Sequence, residues 1–167
     1  MIHILTTGGT IAGLDYENNQ NLSKENSVQI DSFFKTANVA FEYSIKKVFS
    51  KDSRLIKDKD REVLAQMVQT SPHDKILITH GTFTMQETAE YLGKLRINKT
   101  IVLVGAFVLG FDKRTDGSFN LGFAISSLMH LTQGVFIAMN GKVFEWYDVY
   151  KNLDENKFQT LKVNRYV

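Results

Sequence analysis

Four short, almost unbroken apolar runs constrain this chain's architecture more than any other feature: IHIL at 2–5, KILIT at 75–79, TIVLV at 100–104 and VFIAM at 135–139. A strand exposed on one face alternates apolar and polar side chains, whereas a strand covered on both faces reads as a continuous run rich in Ile and Val. The four runs, each bounded by polar or glycine-containing segments, therefore read as buried parallel strands. Phe41, Tyr43 and Ile45 alternate with Glu42, Ser44 and Lys46, which predicts a fifth strand over 41–48, half-exposed or at an edge.

Segments of helical period lie between the strands. Over 58–69, Val63, Leu64, Met67 and Val68 share one face, charges occupy the other, and Asp58 is placed as a cap. Over 84–95, Met85, Thr88, Tyr91, Leu92 and Leu95 repeat the pattern, and Thr84 with Glu87 has the form of a capping box. Over 119–131, Leu121, Ala124, Ile125, Leu128 and Leu131 follow an Asp116-Gly117 turn. Strict alternation of strand and helix predicts an α/β domain of three layers, a largely parallel sheet flanked by helices. The 167 residues leave no space for an eightfold barrel. Residues 14–28 are polar and Asn-rich and read as a surface loop, with a short helix around 29–36 after it. Pro72 falls in a helix-to-strand loop, and Asn140-Gly141 predicts a hairpin turn followed by irregular chain.

Composition excludes several classes of function. There are 20 Lys+Arg against 18 Asp+Glu, interspersed, so no basic stripe is available for nucleic acid or a membrane surface. The absence of Cys removes disulfides, thiolate zinc sites, iron–sulfur clusters and a cysteine nucleophile. Covalent catalysis would have to use Ser, Thr, Lys, Tyr, His or a carboxylate, and no metal or cofactor is expected. The opening MIHILTTGG lacks a charged leader region, and its apolar run is too short for a signal peptide or a membrane span, so a cytoplasmic location is expected. A chain of ~150 residues buries about 70% of its unfolded surface, enough for one domain over 1–167.

Ligands of open α/β sheets bind at the carboxyl ends of the strands. After the first strand comes Thr6-Thr7-Gly8-Gly9-Thr10-Ile11-Ala12-Gly13, whose glycines permit a tight turn and expose N–H groups suited to an oxyanion. The alternative is a glycine turn with no ligand; neither the dinucleotide fingerprint nor the P-loop pattern is present. After KILIT comes His80-Gly81-Thr82-Phe83-Thr84, again a hydroxyl residue at a strand end, although Thr84 could be only a cap and His80 only a core or turn histidine. After TIVLV comes Gly105-Ala106-Phe107 and a loop to Asp116-Gly117, which also reads as a strand-ending glycine and a turn.

Taken together, LTTGGTIAG at 5–13, KDS at 51–53, ITHGT with TMQETAEYL over 78–92, VLVGA at 102–106, DGSFNL at 116–121 and GVFIAMNGKVF at 134–144 resemble the N-terminal domain of the bacterial-type, threonine-dependent asparaginase and glutaminase family. The resemblance implies hydrolysis of the side-chain amide of L-asparagine or a related β-amide through a threonine nucleophile. It puts the acyl-accepting hydroxyl at Thr10, with Tyr16 as the Tyr that activates it. Thr82 matches the second catalytic Thr, and Lys151 falls where its partner Lys is expected. Ser53 matches the residue that binds the substrate's α-carboxylate, and Ala106 the backbone position that contacts the amide. N–H groups near Gly9 and Thr10 would stabilise the oxyanion. Family members are oligomers and carry a second, C-terminal domain. The resemblance therefore implies a homodimer or higher homo-oligomer, and a chain that contains only the N-terminal domain.

Three residues depart from the family pattern. Phe83 stands where the family has an Asp that orients the Lys and holds the substrate's α-ammonium; losing a charged partner of that kind costs about 2–5 kcal/mol. Arg54 follows Ser53 where the family has an uncharged polar residue, and a cation there opposes an ammonium and favours a carboxylate. Phe107 begins a Phe-Val-Leu run in place of Met-Arg-Pro. Altered or weak amidohydrolase activity is one expectation. A non-catalytic or altered-specificity domain that binds a small-molecule carboxylate through Ser53 and Arg54 is the alternative, and an unrelated phosphate or nucleotide binder using Gly8-Gly9 is a third.

Overall fold

The computed structural model describes residues 1–13 and 30–161. The loop expected at 14–28, Tyr16 included, lies outside the described residues. The elements in chain order are β1 (Ile2–Gly8), α1 (Ile30–Ala37), β2 (Tyr43–Lys51), α2 (Asp58–Thr70), β3 (Lys75–Thr79), α3 (Met85–Lys94), β4 (Thr100–Val104), α4 (Gly117–His130), β5 (Gly134–Met139), β6 (Lys142–Glu145), β7 (Tyr150–Asn152) and β8 (Lys157–Gln159). Short 3₁₀ turns follow β1 at Thr10–Ala12 and β2 at Ser53–Leu55.

The main sheet has the order β2-β1-β3-β4-β5-β6, parallel through β5 and closed by antiparallel β6. Ile76, Leu77 and Ile78 of β3 and Ile101 to Val104 of β4 have no solvent exposure, as continuous apolar runs covered on both faces require. The helices α1 and α4 line a shared cavity of about 780 Å³ through Phe33, Phe34, Leu121 and Ile125. They occupy one face of the sheet, whereas α2 and α3 pack against each other on the other. The steps from β3 to β4 and from β4 to β5 run in the same direction, yet their helices lie on opposite faces. The β4–α4–β5 crossover therefore has the opposite hand to the other three, a rare departure from the right-handed rule.

Several sequence expectations shift. The first strand runs on through Thr6 and Thr7 to Gly8, because the Thr7 hydroxyl donates to the carbonyl of Thr79 on β3 at 2.9 Å and holds the backbone extended. The edge strand is Tyr43–Lys51 rather than 41–48. On α2, Val63 faces solvent while Arg61, on the expected charged face, is only 6% exposed, drawn inward by Thr88 and Glu87 of α3. Asp58 is the first residue of α2 and pairs with Arg61; the Lys57 N–H is capped by the Asp60 carboxylate at 3.0 Å instead. The capping box at Thr84 does not form, since the Thr84 hydroxyl donates to the buried Ser53 carbonyl at 2.6 Å and Glu87 pairs with Arg61. The Asn140-Gly141 turn forms as expected, with both residues at positive φ, 55° and 71°. The chain beyond is not irregular: β7 and β8 make a two-stranded antiparallel ribbon, its Phe158 packed near Phe107 and Phe144.

Candidate active site

The direction of strand progression reverses between β1 and β3, since β2 lies on one side of β1 and β3 to β6 on the other. Loops leaving neighbouring strands at such a point diverge and open a crevice. At this crevice Gly9 has φ 85° and ψ 178°, a conformation open essentially to glycine alone. A Cβ on Gly9 would also stand 2.6 Å from the Gly81 nitrogen. A Cβ on Gly81 would in turn stand 2.6 Å from Ser53 Oγ. The ends of β1 and β3 thus meet backbone to backbone, and the turn after β2 meets them through the Ser53 side chain. Thr10 and Thr82, each next to one of the touching glycines, are brought to the same edge, and Ser53 joins them.

The Lys151 Nζ donates to Thr82 Oγ1 at 3.0 Å, a contact made across 69 positions of sequence. It depends on the β7–β8 ribbon, where Lys151 pairs with Phe158, and on Gln86 of α3, whose side-chain carbonyl accepts the Lys151 N–H at 3.0 Å. Burial lowers the amine's pKa below the ordinary lysine value. The groups that shed its water are aromatic, with the Phe83 ring centre 4.2 Å and the Phe107 ring centre 5.2 Å from Nζ. Among the described residues Lys151 has no ion pair. Thr82 itself is 5% exposed.

Phe83 is half exposed rather than packed beneath a loop. Besides Lys151, Arg54 lies over its ring at 4.9 Å. Arg54 is held by Asp52, which accepts from its Nε at 2.8 Å, its Nη2 at 2.5 Å and its backbone N–H at 2.8 Å. Ser53 is 1% exposed, locked in the 3₁₀ turn between them.

Two groups that the sequence reads only as a turn residue and a core or turn histidine position the site. Asp116, read as a turn residue, accepts the N–H of Phe107 at 3.0 Å and of Val108 at 2.9 Å, and the Asn120 amide at 2.7 Å. Asn120 also donates to the Gly105 carbonyl at 3.2 Å. The buried Ala106 and its loop are therefore fixed from the first turn of α4, and the Asp-Gly-x-x-Asn spacing, i and i+4 on one helical face, was the available signal. His80 is the second. Its Nδ1 lies 2.7 Å from the Gly81 carbonyl and its Nε2 3.0 Å from Thr88 Oγ1, which also accepts from Arg61 Nε at 3.3 Å. Thr88, accepting a hydrogen bond from Arg61 Nε, donates one through its own hydroxyl to Nε2, so the ring is neutral with its proton on Nδ1. Burial pushes the His80 pKa down to about 4. The peptide that precedes Thr82 is thereby held from the core side.

The structure thus brings Gly9, Thr10, Ser53, Arg54, Thr82, Phe83 and Lys151 to one sheet edge, with Ala106 at the end of the adjoining β4. Tyr16 lies outside the described residues. Among those described, no group of three or more His, Asp or Glu is arranged to hold a metal, and no helix is long and apolar enough to cross a membrane.

Comparison with known proteins gives this geometry a context. The Asparaginase, N-terminal family model matches residues 1–166. The chain is 35% identical over 163 residues to a probable periplasmic L-asparaginase of Haemophilus influenzae, covering 90% of this chain and 46% of that protein. It is 34% identical to L-asparaginase 2 of Escherichia coli with the same coverages of 90% and 46%. Among solved structures, a probable cytoplasmic L-asparaginase of Campylobacter jejuni superimposes with TM-score 0.79 at 31% identity, over 95% of this chain and 52% of that one. The thermostable L-asparaginase of Thermococcus kodakarensis gives 0.80 at 25% identity, over 95% and 50%. The chain spans about half the length of the curated relatives it matches.

Proposed function

The chain belongs to the asparaginase family, and on that premise we propose that it is an amidohydrolase which releases ammonia from the side-chain amide of a small, amino-acid-like substrate. The observation that carries the proposal is the 3.0 Å contact between Lys151 Nζ and Thr82 Oγ1 at the switch point of the sheet. A threonine hydroxyl is a weak acid and needs a base, and a desolvated amine in hydrogen-bond reach is one.

Thr10 supplies the nucleophilic oxygen, which adds to the amide carbon. The Thr82–Lys151 pair takes up the proton, and N–H groups around Gly9 and Thr10 hold the oxyanion. Collapse of the tetrahedral adduct breaks the C–N bond, and the departing nitrogen receives the proton and leaves as ammonia. Water then adds to the acyl-threonine, with its proton passing to the same pair, and release of the carboxylic acid restores the Thr10 hydroxyl. Tyr16 is the proposed activator of Thr10. Ser53 and Arg54 face the substrate carboxylate, and the Ala106 backbone contacts the amide. Phe83 leaves the α-ammonium of free L-asparagine without an anion, which makes that compound a poor substrate. The family resemblance supports a homo-oligomer.

A second reading, a carboxylate-binding domain without catalysis, draws on the Arg54 and Lys151 cations around Phe83. Ammonia release from asparagine, glutamine and a panel of other β-amides separates the two. Hydrolysis that falls at least 100-fold in Thr10→Ala and in Lys151→Met supports the first reading; hydrolysis that survives Thr10→Ala removes its nucleophile, and binding without ammonia release selects the second.

A further inference from the structure

The charges around the Thr82 hydroxyl set the kind of carboxylate this crevice accepts. On one side of Phe83 stands Lys151, with no ion pair among the described residues, and over the same ring stands Arg54. Two acids of the flanking loops, Asp52 and Asp116, are committed elsewhere. Asp52 is 6% exposed and its two oxygens take the Arg54 side chain and N–H. Asp116 is turned onto the Phe107 and Val108 N–H groups and the Asn120 amide. An ammonium group placed against Phe83 would meet the Arg54 guanidinium and the Lys151 amine, and neither of these two carboxylates is free to receive it. The ring, half exposed, offers instead a surface for carbon.

We propose that the substrates are ω-amides of small carboxylic acids whose α-carbon bears no ammonium group, with succinamate as the simplest member. The carboxylate faces Arg54 and Ser53, the α-methylene lies on the Phe83 ring, and the amide reaches Thr10 and the Thr82–Lys151 pair. The inference rests on the amidohydrolase reading for its chemistry but on the charge distribution alone for its specificity. Hydrolysis proceeds by the same steps: C–N cleavage yields ammonia and an acyl-threonine, and water releases succinate.

The test compares kcat/KM for ammonia release from succinamate and from L-asparagine in the wild-type protein and in Phe83→Asp, together with the thermal shift that succinate and L-aspartate produce in each. The expected result is a wild-type preference for succinamate of tenfold or more, reversed by Phe83→Asp, with stabilisation by succinate and not by L-aspartate. A wild-type preference for L-asparagine, or equal rates, overturns the inference and leaves the amidohydrolase reading standing. If the wild-type protein hydrolyses neither compound, the wider panel of β-amides decides the amidohydrolase reading, and the thermal shifts decide the inference. Stabilisation by succinate alone then supports the specificity, whereas equal stabilisation by both or by neither overturns it.

Discussion

His80 links the stability of the site to pH, and the size of the effect follows from its surroundings. The ring has no solvent exposure and is neutral in the fold, with both nitrogens engaged by Gly81 and Thr88. In the unfolded chain it titrates near the ordinary 6.5, while in the fold burial pushes its pKa to about 4. The unfolded state therefore binds the proton first as pH falls, and stability drops between pH 6.5 and 4; it is fully present above 6.5. At about 1.4 kcal/mol for each tenfold difference in proton affinity, acidification from pH 7 to 4 removes roughly 3 kcal/mol through this one residue. The comparison to make is urea unfolding of the wild-type protein and His80→Asn at both pH values. The Asn amide reproduces the bond to the Gly81 carbonyl, does not titrate and leaves Thr88 without its acceptor. The wild-type protein should be the more stable at pH 7, and its advantage should shrink by about 3 kcal/mol at pH 4, roughly 1–3 M in midpoint for m-values of 1–3 kcal/mol/M. Carboxylates such as Asp60, whose pKa the Lys51 bond lowers, also lose stability on acidification, but equally in both proteins. An advantage that is the same at the two pH values would refute the assignment of a neutral, buried His80.

Two further outcomes concern the site itself. If Lys151 acts as a neutral base, kcat/KM should rise with pH along a limb whose apparent pKa lies below the ordinary lysine value, the direction burial imposes. Lys151→Met should abolish that limb and lower kcat by about 10²–10⁴-fold. A pH profile unchanged in the variant would count against the role. Asp116→Ala leaves the buried-side N–H groups of Phe107 and Val108 without their acceptor, at a cost of about 1–3 kcal/mol for each unsatisfied group. Both the thermal midpoint and hydrolysis should fall, whereas a variant equal to wild type in both would show that the 105–110 loop is held by other contacts.

The parts of this protein that the sequence determined are those encoded by period and by spacing between near neighbours. Continuous apolar runs gave β3, β4 and β5 because a strand buried on both faces has no polar side to show. Helical period gave α2, α3 and α4 within two residues, and the Asn140-Gly141 pair gave its turn because both residues tolerate positive φ. The family resemblance singled out Thr10, Ser53, Thr82 and Lys151. The caps were misread because a hydroxyl or carboxylate bonds the nearest buried group that needs it, whatever its place in sequence: Thr84 serves the Ser53 carbonyl, and Glu87 serves Arg61. Asp116 looked like a turn residue, since the backbone N–H groups it accepts face it only once the loop has folded back over the end of α4. Only the tertiary structure decided that Gly9 lies against Gly81, that Lys151 reaches Thr82 and that Phe83 sits against Arg54 and Lys151. Those contacts join segments dozens of residues apart, and local propensity carries no record of which strand ends will converge. The strand order and the return of the β7–β8 ribbon do that, by burying apolar surface elsewhere in the sheet and so fixing where these side chains must meet.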